Sequence, residues 1–159
     1  TTRIRLDEAA ILSRDSVKKE RGIKYFDLTD EKVKNIGSAR KVPIPNLLIS
    51  YVNSFLVETN HNRFFSFPLN SDGKAQNAAS KKSMRYIRNV TTDKAHVTHS
   101  FRHSFKDALR NQRVGQELNN FITGHSVGDV ASNYGTGHSL ELRKDALNSI
   151  PHPYLKELD

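Results

Sequence analysis

Apolar positions return every three or four residues through most of this chain, and every second residue only near its start. Residues 6–12 are good helix formers, with Leu6, Ala9, Ala10 and Ile11 broadly on one face, which predicts a first helix. Residues 13–16 break it. A charged turn over 18–22 then leads into a strand over 23–28. Residues 32–35 and 39–44 read as two further short strands joined by a loop at 36–38. Pro43 has no N–H to give a ladder, so that last strand is expected at a sheet edge or ending there. From Asn46 the period turns helical, and Leu47, Leu48, Tyr51, Val52, Phe55 and Leu56 form a stripe. Residues 60–73 are a polar loop carrying Phe64, Phe65 and Phe67. A helix over 75–90 turns Met84 and Ile87 inward and Lys81, Lys82, Arg85 and Arg88 outward. After a linker at 91–94, Thr98 can cap a helix running to Asn111. Residues 116–122 predict another, stopped by Gly124. Ser126 to Asp129 has the form of a capping box, opening a short helix that ends near Tyr134. Residues 139–150 make a last helix, closed by Pro151 and Pro153. The sum is one α+β domain over residues 1–159, mainly α with a small antiparallel β-sheet near the N-terminus.

Composition narrows the partners. A chain of 159 residues is long enough for a real core. Its 25 Lys plus Arg against 17 acids give a net charge of +8. A surplus of that size favours a polyanion, with nucleic acid first. There are no cysteines, so disulfides, thiolate zinc sites and a cysteine nucleophile are excluded, and a reducing cytoplasm suits the composition. No apolar run is long enough to span a bilayer and no signal-peptide pattern opens the chain, so no membrane association is expected. Helix-like sequence beginning almost at Thr1 reads as a cut made inside a larger protein.

The chemistry-bearing residues cluster between Ala95 and Gly137. His99 and Arg102 are three apart and share a helix face. A guanidinium answers the charge of a phosphodiester undergoing displacement with two directed donors that stay protonated. A neighbouring histidine can bond the same phosphate or move a proton near neutral pH. Taken alone, such a pair is more simply a surface feature of an amphipathic helix. His99 and His103 could instead be a zinc pair, but Ser100 stands where the general-base glutamate of a metalloprotease helix belongs. Among the five tyrosines, Tyr25 and Tyr51 sit in core stripes, Tyr86 on a basic helix and Tyr154 in the tail. Tyr134 alone has glycines close by, Gly135 and Gly137, which allow a backbone to approach DNA.

The spacing changes the weight of these residues. His125, in Gly124-His125-Ser126, follows Arg102 by 23 residues, and Tyr134 follows His125 by nine. This order resembles the catalytic domain of the tyrosine recombinases, the phage integrase family, with its H-x-x-R helix, later Gly-His and nucleophilic tyrosine. The run His99 to Phe105 is similar to that family's signature, with Phe101 where leucine is commoner, and Leu118 to Ser126 is similar to its next helix and turn. The resemblance implies the integrase catalytic-domain fold and two more residues upstream. Thr2 to Ala9 matches the family's arginine turn, with Arg3 where glycine is usual, which makes Arg5 a second phosphate clamp and Glu8 a supporting carboxylate. Lys34, ahead of Arg40-Lys41-Val42-Pro43, matches the hairpin lysine, with Lys41 as its alternative.

As the resemblance implies, Tyr134 attacks a scissile phosphate and leaves a 3′-phosphotyrosine and a free 5′-hydroxyl. Arg5, Arg102 and His125 hold the non-bridging oxygens, Lys34 protonates the leaving oxygen, and His99 assists proton transfer at the tyrosine. Neither ATP, a metal nor another cofactor is needed. The expected partners are double-stranded DNA and, for a longer protein carrying an upstream core-binding domain, other protomers in a tetramer on DNA, while the chain alone is expected to be monomeric. Lys81, Lys82, Arg85, Arg88 and Lys94 are candidates for phosphate contacts. The apolar side of the last helix, Leu140, Leu142, Ala146, Leu147 and Ile150, would dock on a neighbouring protomer or pack on its own domain. Two other readings stay open: a type IB topoisomerase-like enzyme, and a DNA-binding module without catalysis.

Overall fold

The computed structural model describes residues 4–29, 40–124 and 138–152. Within them the chain is an α+β assembly of six α-helices and a three-stranded antiparallel sheet. β1 (Val17–Glu20) pairs with β2 (Ile23–Asp27), with Glu20 opposite Ile23, so Arg21 and Gly22 alone make the turn. Their φ angles are 48° and 82°, both positive, as a two-residue hairpin that follows the strand twist requires. The expected turn over 18–22 is therefore mostly strand. Its lysines point to solvent from an edge strand, and no apolar alternation announced it. β3 (Lys41–Pro43) lines the other side of β2, with Phe26 opposite Val42, and leaves Pro43 on an edge as its missing N–H demands. The strand expected over 32–35 lies outside the described residues.

The sheet has two different faces. Phe26 and Val42 join Leu12, Leu28, Ile44 and Val52 in one core beneath α2 (Asn46–Glu58). Phe64 closes this core, stacked on Phe55 at 4.1 Å and edge-on to Phe26 at 5.8 Å. On α2 the burial is narrower than the expected stripe. Val52 and Phe55 are buried, Leu48 and Leu56 are partly so, and Leu47 and Tyr51 face solvent. Tyr51 is thus not a core residue; two adjacent apolar columns ran along the helix and the sheet covers only one.

A second core joins α4 (Ser100–Asn111), α5 (Gln116–Thr123) and α6 (Leu140–Asn148) through Phe105, Leu109, Leu118, Ile122, Ala146, Leu147 and Ile150. The apolar side of α6 is therefore covered by its own chain, apart from the exposed Leu142. The buried Arg143 donates to the Lys41 carbonyl (2.6 Å) and lies over the Phe121 ring, tying α6 to β3 and α5. Leu109 is fully buried where the three helices meet. Leu109→Ala is expected to lower unfolding free energy by about 3 kcal/mol, read by urea denaturation. α1 (Leu6–Ile11) rests on α3 (Gln76–Val90) through Ala10, Ala75 and Ala79, whose small side chains let the two helices approach closely. Among the described residues no helix is long and apolar enough to cross a membrane.

Candidate active site

Four chain segments far apart in sequence converge where α5 ends. The helix stops as expected at Gly124, in the left-handed conformation (φ 59°, ψ 41°), which glycine reaches without steric penalty. The carbonyl end of the helix carries the negative end of its dipole. Two arginines answer it. Arg102, in the first turn of α4, donates to the Thr123 carbonyl at 2.5 Å. Arg5, just ahead of α1, reaches the Gly124 carbonyl at 3.5 Å. The structure therefore brings together the two arginines expected to clamp phosphate.

What holds α4 and α5 in register is partly polar. The buried Asn119 donates through Nδ2 to the Lys106 carbonyl (3.2 Å), and the Thr123 hydroxyl donates to the Asn120 carbonyl (3.0 Å). With Leu118 and Ile122 packed on Phe105 and Leu109, these contacts set the Thr123 carbonyl against Arg102.

Glu8 supplies the negative charge of the cluster. It is buried, accepts the Arg5 backbone N–H through Oε2 (2.7 Å), and takes both ends of the Arg40 guanidinium at 3.1 and 3.0 Å. Arg40 went unremarked in the sequence as a site residue, one basic residue among 25 Lys and Arg. In the sequence it stands within the expected strand over 39–44, with no local feature that sets it apart from its neighbours. It too is buried. Removing one member of such a pair strands a charge in a dry setting, a loss of about 3–5 kcal/mol. Among the described residues the cluster holds the guanidiniums of Arg5, Arg40 and Arg102 and the buried carboxylate of Glu8. Burial, and then the charges of Arg5 and Arg40, push the Arg102 pKa below the ordinary arginine value, while Glu8 and Asp7 pull it back. A positive excess of this kind is relieved by an oxyanion.

His99 is the N-cap of α4, so the helix opens after the expected Thr98 cap, and the Ser100 hydroxyl accepts the Val97 N–H (3.0 Å). The exposed His99 ring meets His103 edge-on, with centroids 4.9 Å apart. No three His, Asp or Glu side chains converge on a metal-sized site among the described residues.

Lys41 does not share this cluster. Strand alternation puts Arg40 and Val42 on one face of the sheet and Lys41 on the other. There Lys41 pairs with Glu20 at 2.5 Å and lies over the Tyr25 ring. The hydrogen bond to Glu20 raises its pKa, which makes it a poorer proton donor. The alternative hairpin lysine is thus turned away from the arginines. Lys34, His125 and Tyr134 lie outside the described residues.

The basic surface is also narrower than expected. Lys81, Lys82, Arg85 and Lys94 are exposed, but Arg88 spends its guanidinium on the carbonyls of Thr91, Asp93 and His96. It fastens the linker leading into His99 and is not a simple phosphate contact. An open groove of about 1000 Å³ runs from Arg5 and Glu8 towards Arg63 and Lys74. Asp7, Asp15 and Asp27 also line it, so it does not present the single sign of charge that a polyanion track needs.

No family model, curated protein or solved structure matches this chain.

Proposed function

We propose that the chain is the catalytic domain of a site-specific DNA recombinase of the tyrosine (phage integrase) class, which cleaves and rejoins strands through a 3′-phosphotyrosine at Tyr134. The observation that carries this reading is the meeting of Arg5 and Arg102 on neighbouring carbonyls of one helix end, Gly124 and Thr123. Those residues stand directly before His125 in the chain. A doubly clamped oxyanion suits phosphoryl transfer, where catalysis is mostly positioning and charge stabilisation.

In the proposed reaction the Tyr134 phenolate oxygen bonds to phosphorus and the P–O5′ bond breaks. Arg5, Arg102 and His125 hold the non-bridging oxygens. The electron pair leaves on the 5′-oxygen, which takes a proton from Lys34, and His99 assists proton transfer at Tyr134. Rejoining reverses these steps, so the phosphodiester energy is conserved in the protein–DNA bond and no nucleotide is consumed.

The test is covalent capture of duplex DNA bearing 5′-bridging phosphorothiolate linkages within a randomised target. The departing thiol does not attack back efficiently, so the adduct accumulates. A denaturation-resistant protein–DNA species supports a strand-cleaving enzyme, and binding without capture favours a DNA-binding module. A sulfur leaving group needs no protonation at neutral pH. Lys34→Ala is therefore expected to slow cleavage of ordinary phosphodiesters by about 10²-fold or more, yet stay near the unaltered rate on the phosphorothiolate.

A further inference from the structure

We infer that Arg40 is a positioning residue of this site, acting through Glu8 and Gly124 to fix the separation and direction of Arg5 and Arg102. This rests on reading those two arginines as the phosphate clamp. A surface ion pair would carry no such role, but Arg40 and Glu8 are both buried and joined at both ends, 3.1 and 3.0 Å. That fork leaves neither group a rotational choice. From it two lines of restraint lead to the clamp.

The first runs through Glu8. The Oε2 that accepts from Arg40 also accepts the Arg5 backbone N–H at 2.7 Å, so the turn launching the Arg5 side chain is anchored on the Arg40 plane. The second runs through Gly124. A Cβ built there would lie 3.0 Å from Arg40 Cζ and Nη1, closer than packed carbon atoms sit. The Arg40 guanidinium thus lies directly against the glycine whose carbonyl holds Arg5, one peptide beyond the carbonyl that holds Arg102. Glycine at 124 has two reasons to be there: its positive φ and the space that Arg40 fills. Arg40 also adds positive charge beside Arg102. Its partner Glu8 answers that charge, which lets the clamp arginines stay close before a phosphate arrives.

The test follows two readouts on the whole chain. One is the affinity of phenyl phosphate, a phosphotyrosine surrogate, read from the arginine Nε signals of Arg5 and Arg102 by NMR. The other is the single-turnover capture rate set against DNA affinity. Arg40→Lys keeps the charge but loses the planar fork. Glu8→Gln with Arg40→Gln keeps a hydrogen-bonded neutral pair. Gly124→Ala keeps every charge and displaces the guanidinium. Each folded variant, verified by its melting transition, is expected to bind phenyl phosphate about tenfold more weakly. Each should also capture DNA about 30-fold more slowly, with DNA affinity changed by less than about threefold. Arg40→Lys keeping both values within about threefold of the unaltered chain would overturn the proposal, because charge alone would then suffice. The same holds for the double variant should Arg40→Lys not fold. If the unaltered chain captures no DNA, the recombinase reading fails, and the phenyl phosphate affinities alone decide the role of Arg40: weakened in the variants supports it, unchanged overturns it.

Discussion

Tyr134→Phe is expected to abolish covalent capture of DNA while leaving duplex affinity within about threefold of the unaltered chain. The substitution removes one oxygen, and with it the only electron pair of that side chain able to bond to phosphorus. It keeps the ring, so whatever that ring packs against should be little disturbed. Controls are available within the chain. Tyr25 is buried against Ile23 and Leu140 and so is held away from solvent. Tyr51 and Tyr86 stand exposed on α2 and α3. Tyr51→Phe and Tyr86→Phe should capture DNA at the unaltered rate. Capture surviving Tyr134→Phe would move the nucleophile elsewhere, and loss in Tyr86→Phe would make that residue the first place to look. Gel analysis after denaturation reads all three variants beside the unaltered chain.

The second large effect is expected at Arg102. Arg102→Lys should lower the single-turnover cleavage rate by about 10²–10³-fold, with little change in DNA affinity. One guanidinium nitrogen is engaged by the Thr123 carbonyl. An arginine can hold that carbonyl with one nitrogen and direct others at a phosphate oxygen. A lysine puts its three donors on one nitrogen and cannot reproduce the planar fork that reaches both acceptors. Its ammonium also drags more hydration into a half-buried place. On the proposed recombinase reading, many phosphate contacts would contribute to affinity and the arginine clamp to the transition state, so rate and binding should separate. A drop in affinity equal to the drop in rate would instead make Arg102 an ordinary backbone contact. Measuring both on one duplex at fixed salt decides it.

Much of the architecture was legible along the chain, for reasons visible in particular residues. Gly124 ends α5 because the left-handed position there suits glycine, and local rules read that well. Pro43 marks an edge strand because it lacks a donor. Where local rules failed, the deciding factor lay elsewhere in the fold. The strand Val17–Glu20 carries two lysines and a glutamate, and it exists because β2 offers a free edge and Arg21-Gly22 can turn tightly. Tyr51 belongs to a helical stripe yet faces solvent, since the sheet under α2 is only wide enough for Val52 and Phe55 and their neighbours.

The candidate site divides in the same way. Arg5, Glu8 and Arg102 could be proposed from spacing and a family resemblance, and the fold draws these three into one cluster. Arg40 could not. Its partner lies 32 positions away, and the glycine it presses against lies at the end of another helix. Nothing in the local sequence distinguishes it from its neighbour Lys41, which alternation sends to the opposite face. Burial of a charge depends on what the fold brings alongside it, and only three-dimensional proximity reports that.

The most direct measurement is mass spectrometry of the peptide left on DNA after capture on the phosphorothiolate duplex and exhaustive digestion. One adduct is expected, a nucleotide joined through its 3′-phosphate to the oxygen of Tyr134, with a free 5′-thiol on the departing strand. An adduct on another residue, a 5′-phosphate linkage, or DNA bound without any adduct would contradict the proposed reaction.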